Sequence, residues 1–98
     1  MPRDRLDTDA IEEALAGLPG WTLEDGGKAL VKSFKFKSFS EAFAFMTRAA
    51  LAAEKLDHHP EWFNVYNKVD IRLTTHDSDG VTELDVKLAG RMERFAAS

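Results

Sequence analysis

The sequence predicts an α+β domain whose elements run helix, strand, strand, helix, strand, strand, helix. Three observations carry that prediction. Ser38-Phe39-Ser40-Glu41 is a capping box ahead of an alanine-rich stretch. Turn signals at 24–28 and 66–69 each separate two apolar runs. Leu84, Leu88, Met92 and Phe95 recur at helical spacing near the C-terminal end.

In chain order, Asp7 to Ala16 reads as a short helix, with Asp9 and Glu12 as its capping pattern, Ile11 and Leu15 on one face, and Gly17 and Pro19 ending it. Trp21 to Leu23 and Ala29 to Phe36 read as two strands joined through Glu24-Asp25-Gly26-Gly27-Lys28, where the glycines supply the turn. The helix opened by Ser38 is expected to run to about Lys55, with Phe39, Phe43, Met46 and Ala50 along its apolar stripe and Phe45 off it. Aromatic and alanine residues on more than one side suit a helix that packs on its own sheet and on another subunit. Asp77-Ser78-Asp79-Gly80 is a turn-rich loop, and Thr82-Glu83-Leu84-Asp85 starts the last helix, with Asp85 read as a residue of its first turn.

The chain's 98 residues suit one domain spanning 1–98, large enough for a single core and of a size that often gains stability by oligomerising. The formal charge of −4 argues against direct nucleic-acid binding, which rests on Lys and Arg neutralising phosphates. Lys32, Lys35 and Lys37 read as a solvated strand face. The absence of cysteine removes disulfides, thiolate catalysis and cysteine zinc sites together. No apolar run approaches the ~20 residues of a membrane span, and the first residues lack the hydrophobic segment of a secretion signal. A cytoplasmic protein without a membrane partner is expected.

The candidate chemistry lies in His58, His59 and His76, which are all the histidine the chain has. Imidazole gives and takes protons near neutral pH, so three that converge would make a proton-transfer site. In one extended strand His58 and His76 would stand about 59 Å apart, so the chain must reverse. Phe63, Val65, Val69, Ile71 and Leu73 would suit a continuous half-buried strand, but Asn67 would then lie on its buried face without an evident partner. A hairpin with Asn67-Lys68 at its tip sets Tyr66 against Val69, Trp62 against Leu73 and His59 against His76.

Glu54 stands four residues before His58, which on a continuing helix would let its carboxylate orient that imidazole. Asp57 reads as a cap or turn residue and Trp62 as core. The sequence has no glycine-rich phosphate loop, no HExxH and no G-x-S-x-G. A metal site built from the histidines and Glu54 is a competing reading, although adjacent histidines are awkward joint ligands.

The run Glu54-Lys55-Leu56-Asp57-His58-His59-Pro60-Glu61-Trp62-Phe63-Asn64-Val65-Tyr66-Asn67-Lys68-Val69, followed by Leu73-Thr74-Thr75-His76 and Gly80-Val81-Thr82, resembles the pterin-4a-carbinolamine dehydratase family. Trp21, Lys37-Ser38-Phe39 and Phe45-Met46 extend the likeness through most of the chain. The resemblance implies a two-layer fold, a four-stranded antiparallel sheet packed on helices. It implies a homo-oligomer, dimer or tetramer, joined through sheet edges and long helices.

The reaction implied is loss of water from a 4a-hydroxytetrahydropterin to give quinonoid dihydropterin, in the recycling of tetrahydrobiopterin after an aromatic amino-acid hydroxylase has acted. By the same resemblance His58, His59 and His76 line the pterin site. His58 and His76 are assigned acid/base work, His59 holds the pterin, and Glu54 tunes His58. Pro60 and the backbone of Thr75, His76, Asp77 and Ser78 bound the ring system, with no metal or cofactor required. Some members of the family also serve as dimerisation cofactors of a homeodomain transcription factor, so a protein partner is the alternative use of the same surface.

Overall fold

The computed structural model describes residues 3–97. Helix α1 (Thr8–Leu15) is followed by strands β1 (Thr22–Leu23) and β2 (Leu30–Lys35), helix α2 (Phe39–Leu56), strands β3 (Glu61–Val65) and β4 (Lys68–Leu73), and helix α3 (Glu83–Ala97). The strands form one antiparallel sheet in the order β1-β2-β4-β3, the α+β arrangement expected. β3 is therefore an edge strand.

Period-two alternation decides which side of the sheet the helices cover. Leu30 and Phe34 of β2 and Val69, Ile71 and Leu73 of β4 are buried in one core with Ala42, Phe45 and Ala49 of α2 and Leu88 and Met92 of α3. Trp62 packs against that core from β3. The opposite sheet face carries Ser33, Phe63, Asp70 and Arg72 and stays open. No helix among the described residues is long and apolar enough to cross a membrane.

The cap of α1 is Asp7, whose side chain accepts from the Ala10 amide at 2.8 Å, and not the Asp9–Glu12 pair. The Ser38 cap is as expected, its hydroxyl accepting from the Glu41 amide at 3.1 Å. In the β1–β2 connection Gly26 and Gly27 take φ of 94° and 75°, left-handed values that a side chain would oppose.

The expected stripe of α2 faces outward except at Met46, which is partly buried against the core. Phe39 and Phe43 are 49% and 55% exposed, while Phe45 is 3% exposed and packs on Phe34 and Phe36. Ala42, Ala49, Ala52 and Ala53 share its buried side. Small side chains there let α2 approach its neighbours closely, and the larger rings are left on the outer side.

The β3–β4 hairpin forms, but with its tip one residue earlier. Val65 pairs with Lys68, Trp62 with Ile71 and Glu61 with Arg72, so the turn is Tyr66-Asn67 and the strands do not extend to set His59 against His76. Tyr66, not Asn67, is left-handed, at φ 51°. Asn67 is instead pinned to the end of β2, its amide nitrogen donating to the Phe36 carbonyl and its own carbonyl accepting from the Phe36 amide, each at 2.8 Å. Asn64 steadies the turn by donating to the carbonyls of Tyr66 and Lys68 at 3.1 and 2.8 Å. In this register Phe63 and Val65 oppose Asp70 and Lys68 and, as in the expected one, lie on the open face, away from Ile71 and Leu73, which the continuous-strand reading would have put on the same side.

Candidate active site

Helix α2 ends at Leu56 because Asp57 turns left-handed, φ 51°, and the His58 amide bonds back to the Ala53 carbonyl at 3.0 Å. This is the six-to-one bond of a Schellman ending, here without glycine. The reversal sends His58 inward and leaves His59 exposed. Pro60, without an amide hydrogen, then leads into β3.

His58 is 6% exposed and its Nε2 lies 2.5 Å from Oδ1 of Asp85, which is fully buried in the first turn of α3. A carboxylate only accepts, so Nε2 carries the proton. Oδ2 of Asp85 accepts from the Thr82 amide at 2.9 Å and the Thr75 hydroxyl at 2.8 Å. Asp85 thus caps α3 and orients His58. Glu54 does not reach His58 as i,i+4 spacing suggested, because the helix stops between them; its Oε1 lies 2.5 Å from Nε2 of His59.

His76 follows β4 in a single 3₁₀ turn, His76–Ser78, closed by paired backbone bonds between Thr75 and Gly80. Its Nε2 is 2.8 Å from Oε2 of Glu61, the first residue of β3. Glu61 also receives Nη1 of Arg72, its register partner on β4, at 3.1 and 3.2 Å. The other edge of the guanidinium meets Glu24 at 2.7 and 2.8 Å. The His76 hydrogen bond, with Arg72's charge adding to it against some burial, holds the Glu61 carboxyl below the usual glutamate range. The Arg72 hydrogen bond does the same for Glu24.

His58, His59 and His76 line one cavity of about 290 Å³ together with Pro60, Thr75 and Asp77. Of the residues expected there, Ser78 stands aside, its hydroxyl donating to the Arg3 carbonyl, and Glu54 acts behind His59. Arg3, Asp57, Glu61 and Thr74 complete the lining. Each histidine gives its Nε2 to a different carboxylate, and no three such side chains are grouped to hold a metal among the described residues. A larger hollow of about 580 Å³ lies over the open sheet face. It contains no histidine and meets the smaller cavity at Glu61.

Sequence reasoning missed Asp85 as His58's partner and Glu61 and Arg72 beside His76. The Thr82-x-x-Asp85 capping pattern was a signal for the first. Direct cross-strand pairing of Glu61 with Arg72 would have exposed the second once the hairpin tip was set one residue earlier.

A small α+β domain with three histidine–carboxylate pairs around one cavity is the class that fold and site define. The profile of the family described as Pterin 4 alpha carbinolamine dehydratase matches residues 4–95, and the chain belongs to that family. Curated relatives that carry pterin-4-alpha-carbinolamine dehydratase as a provisional name include one from Sinorhizobium fredii, 58% identical over 99% of this chain and 92% of its own. Another, from Rhizobium johnstonii, is 60% identical over 99% and 96%. Among solved structures, a transcriptional coactivator/pterin dehydratase from Brucella melitensis superposes with a TM-score of 0.93 at 58% identity, over 95% of this chain and 99% of that one. A pterin dehydratase-like RuBisCO assembly factor of the alpha-carboxysome gives 0.70 at 25% identity, over 81% and 92%.

Proposed function

We propose that the protein is a 4a-hydroxytetrahydropterin dehydratase, acting on the carbinolamine that an aromatic amino-acid hydroxylase releases and so supporting tetrahydrobiopterin recycling. The observation that carries this reading is the convergence of three imidazoles, each with Nε2 engaged by a carboxylate, on a single cavity. The reaction breaks the C4a–O bond and the N5–H bond and forms the second bond of N5=C4a. Hydroxide leaves poorly, so an acid protonates the hydroxyl as it departs as water, and a base removes the N5 proton.

His58 and His76 take these two roles, while His59, with Glu54 behind it, holds the pterin. A buried carboxylate behind an imidazole fixes its orientation, which supports the assignment of His58. Pro60, Thr75 and Asp77 border the ring system. No metal or redox group is needed for such an elimination. The direct test is stopped-flow dehydration of a freshly generated carbinolamine. Acceleration over the spontaneous rate supports the reading, and a rate equal to buffer would refute it.

A second reading, a partner-binding module, draws on the exposed rings of Phe39 and Phe43 with Leu51 on α2. Relatives named as a coactivator and as an assembly factor show that the fold has been put to such uses. The same surface would serve a homo-oligomer, the use proposed here. A chain that served only a protein partner would leave dehydration at its spontaneous rate.

A further inference from the structure

We propose that Arg72 is a positioning residue: through Glu61 it fixes the tautomer and orientation of His76, so that His76 meets the substrate through Nδ1. This rests on reading the histidine cavity as a dehydration site, and it deepens that reading.

The geometry is a chain of charge across the open face of the sheet. Arg72 lies between Glu24, just beyond β1, and Glu61 on the edge strand, and its fork contacts both carboxylates. Four such contacts allow the guanidinium little freedom. Glu61 is held from one side by Nη1 of Arg72 and turns Oε2 toward Nε2 of His76 at 2.8 Å. His76 needs that hold because its side chain is 76% exposed and packing does not lock the ring.

An ionised carboxylate has no proton to give, so Glu61 requires the Nε2–H form of His76. In the neutral ring the lone pair then sits on Nδ1, the atom left for proton exchange with substrate. The other charged groups around His76 are set independently of Arg72. Arg3, Asp57, His58, His59 and Asp77 line the cavity with it. Asp79, in the same loop, is tied to Lys28 at 2.9 Å and its carbonyl accepts from Arg5.

Two substitutions separate the links. In Glu61→Gln the amide oxygen stays on Arg72 and its NH₂ faces His76, so Nε2 must accept and the proton moves to Nδ1. Arg72→Met keeps the carboxylate but frees it. Long-range ¹H–¹⁵N correlation of the imidazoles reads the tautomer directly, and only three rings need assignment.

The expected result is an Nε2–H His76 in the unmodified protein, an inverted tautomer in Glu61→Gln with kcat down a hundredfold or more, and a mixed tautomer in Arg72→Met with kcat down about tenfold and KM little changed. Arg72→Lys, which retains the charge without the fork, should recover part of the loss. Unchanged His58 signals report that each variant is folded. If the His76 tautomer is the same in all four proteins, the proposal is overturned even if the enzyme is active. If the tautomer responds as expected while no protein dehydrates the carbinolamine, the clamp stands and the functional reading falls.

Discussion

Nε2 of His58 donates to Oδ1 of Asp85 at 2.5 Å, in a place where the two side chains are 6% and 0% exposed. The same carboxylate satisfies the Thr82 amide and the Thr75 hydroxyl, so three donors depend on one residue of α3. Asp85→Ala should therefore cost several kcal/mol, about 1–3 kcal/mol for each buried donor left without an acceptor. Asp85→Asn preserves the shape and should cost about 1–2 kcal/mol while lowering kcat much more than stability. Urea unfolding alongside dehydration rates checks both. An Asp85→Ala protein as stable as the parent would mean that the pair does not hold this corner together.

Replacement of the histidines should separate chemistry from binding. His58→Ala and His76→Ala are each expected to lower kcat by about 10²-fold or more, the ordinary scale of a general acid or base. His59→Ala should act mainly on KM. Stability divides them differently, since only His58 is buried: its removal leaves Asp85 short of a donor and should cost about 2 kcal/mol, whereas the exposed His59 and His76 should cost little. Full kcat in both the His58 and His76 variants would rule out the proton-transfer assignment.

The Glu24–Arg72–Glu61 chain should shape the acid side of the stability curve. Both glutamates are held below their ordinary value of 4.5, Glu24 first by its Arg72 hydrogen bond and Glu61 first by its His76 hydrogen bond. A carboxyl whose folded pKa is depressed adds stability that is present above the unfolded value and is lost as pH falls through the folded one. Arg72→Met should consequently lower the urea midpoint near neutrality, with the gap to the parent protein closing as pH drops below about 4.5. The effect should be small because these groups are substantially exposed and screened. A gap that stayed constant to the acid limit would mean that Arg72 acts by packing alone.

The element order was legible because its signals are local: the Ser38 hydroxyl, the paired Gly26 and Gly27, and the Leu84–Leu88–Met92 stripe all lie within a turn or two of what they determine. What was not legible depends on distant partners. Asn67 carries the composition of a left-handed turn residue, but Phe36, 31 positions away, holds it in another conformation and the turn passes to Tyr66. Glu54 has the spacing to meet His58 only if the helix continues, and the left-handed Asp57 hands the glutamate to His59. Asp85 is 27 positions from His58, so capping could be read locally and pairing could not. On α2 the bulk of Phe39 and Phe43 drew the apolar stripe to the wrong side, because alanine contributes little to a periodicity argument and much to close helix packing.

That inverted face changes how assembly should be tested. Phe39 and Phe43 lie against each other on the outside of α2, their rings tilted at 40° with centroids 5.7 Å apart, and Leu51 is 68% exposed further along the helix. A second apolar group, Phe63, Val65 and Tyr66, lies exposed on and just beyond the edge strand β3. Burying aromatic residues of this kind contributes about 1.5–3 kcal/mol each, and unpaired backbone groups along β3 offer a template for another strand. The protein should therefore be a homo-oligomer at micromolar concentration. Phe43→Glu should break the helix-mediated contact and Val65→Lys the edge contact, each lowering the mass seen by light scattering while the subunit stays folded. Phe45→Glu should instead unfold the subunit, since its ring sits in the core against Phe34 and Phe36 at 4.9 and 5.0 Å. A monomer in the parent protein, or an assembly that survives Phe43→Glu and Val65→Lys together, would show that these faces do not join subunits.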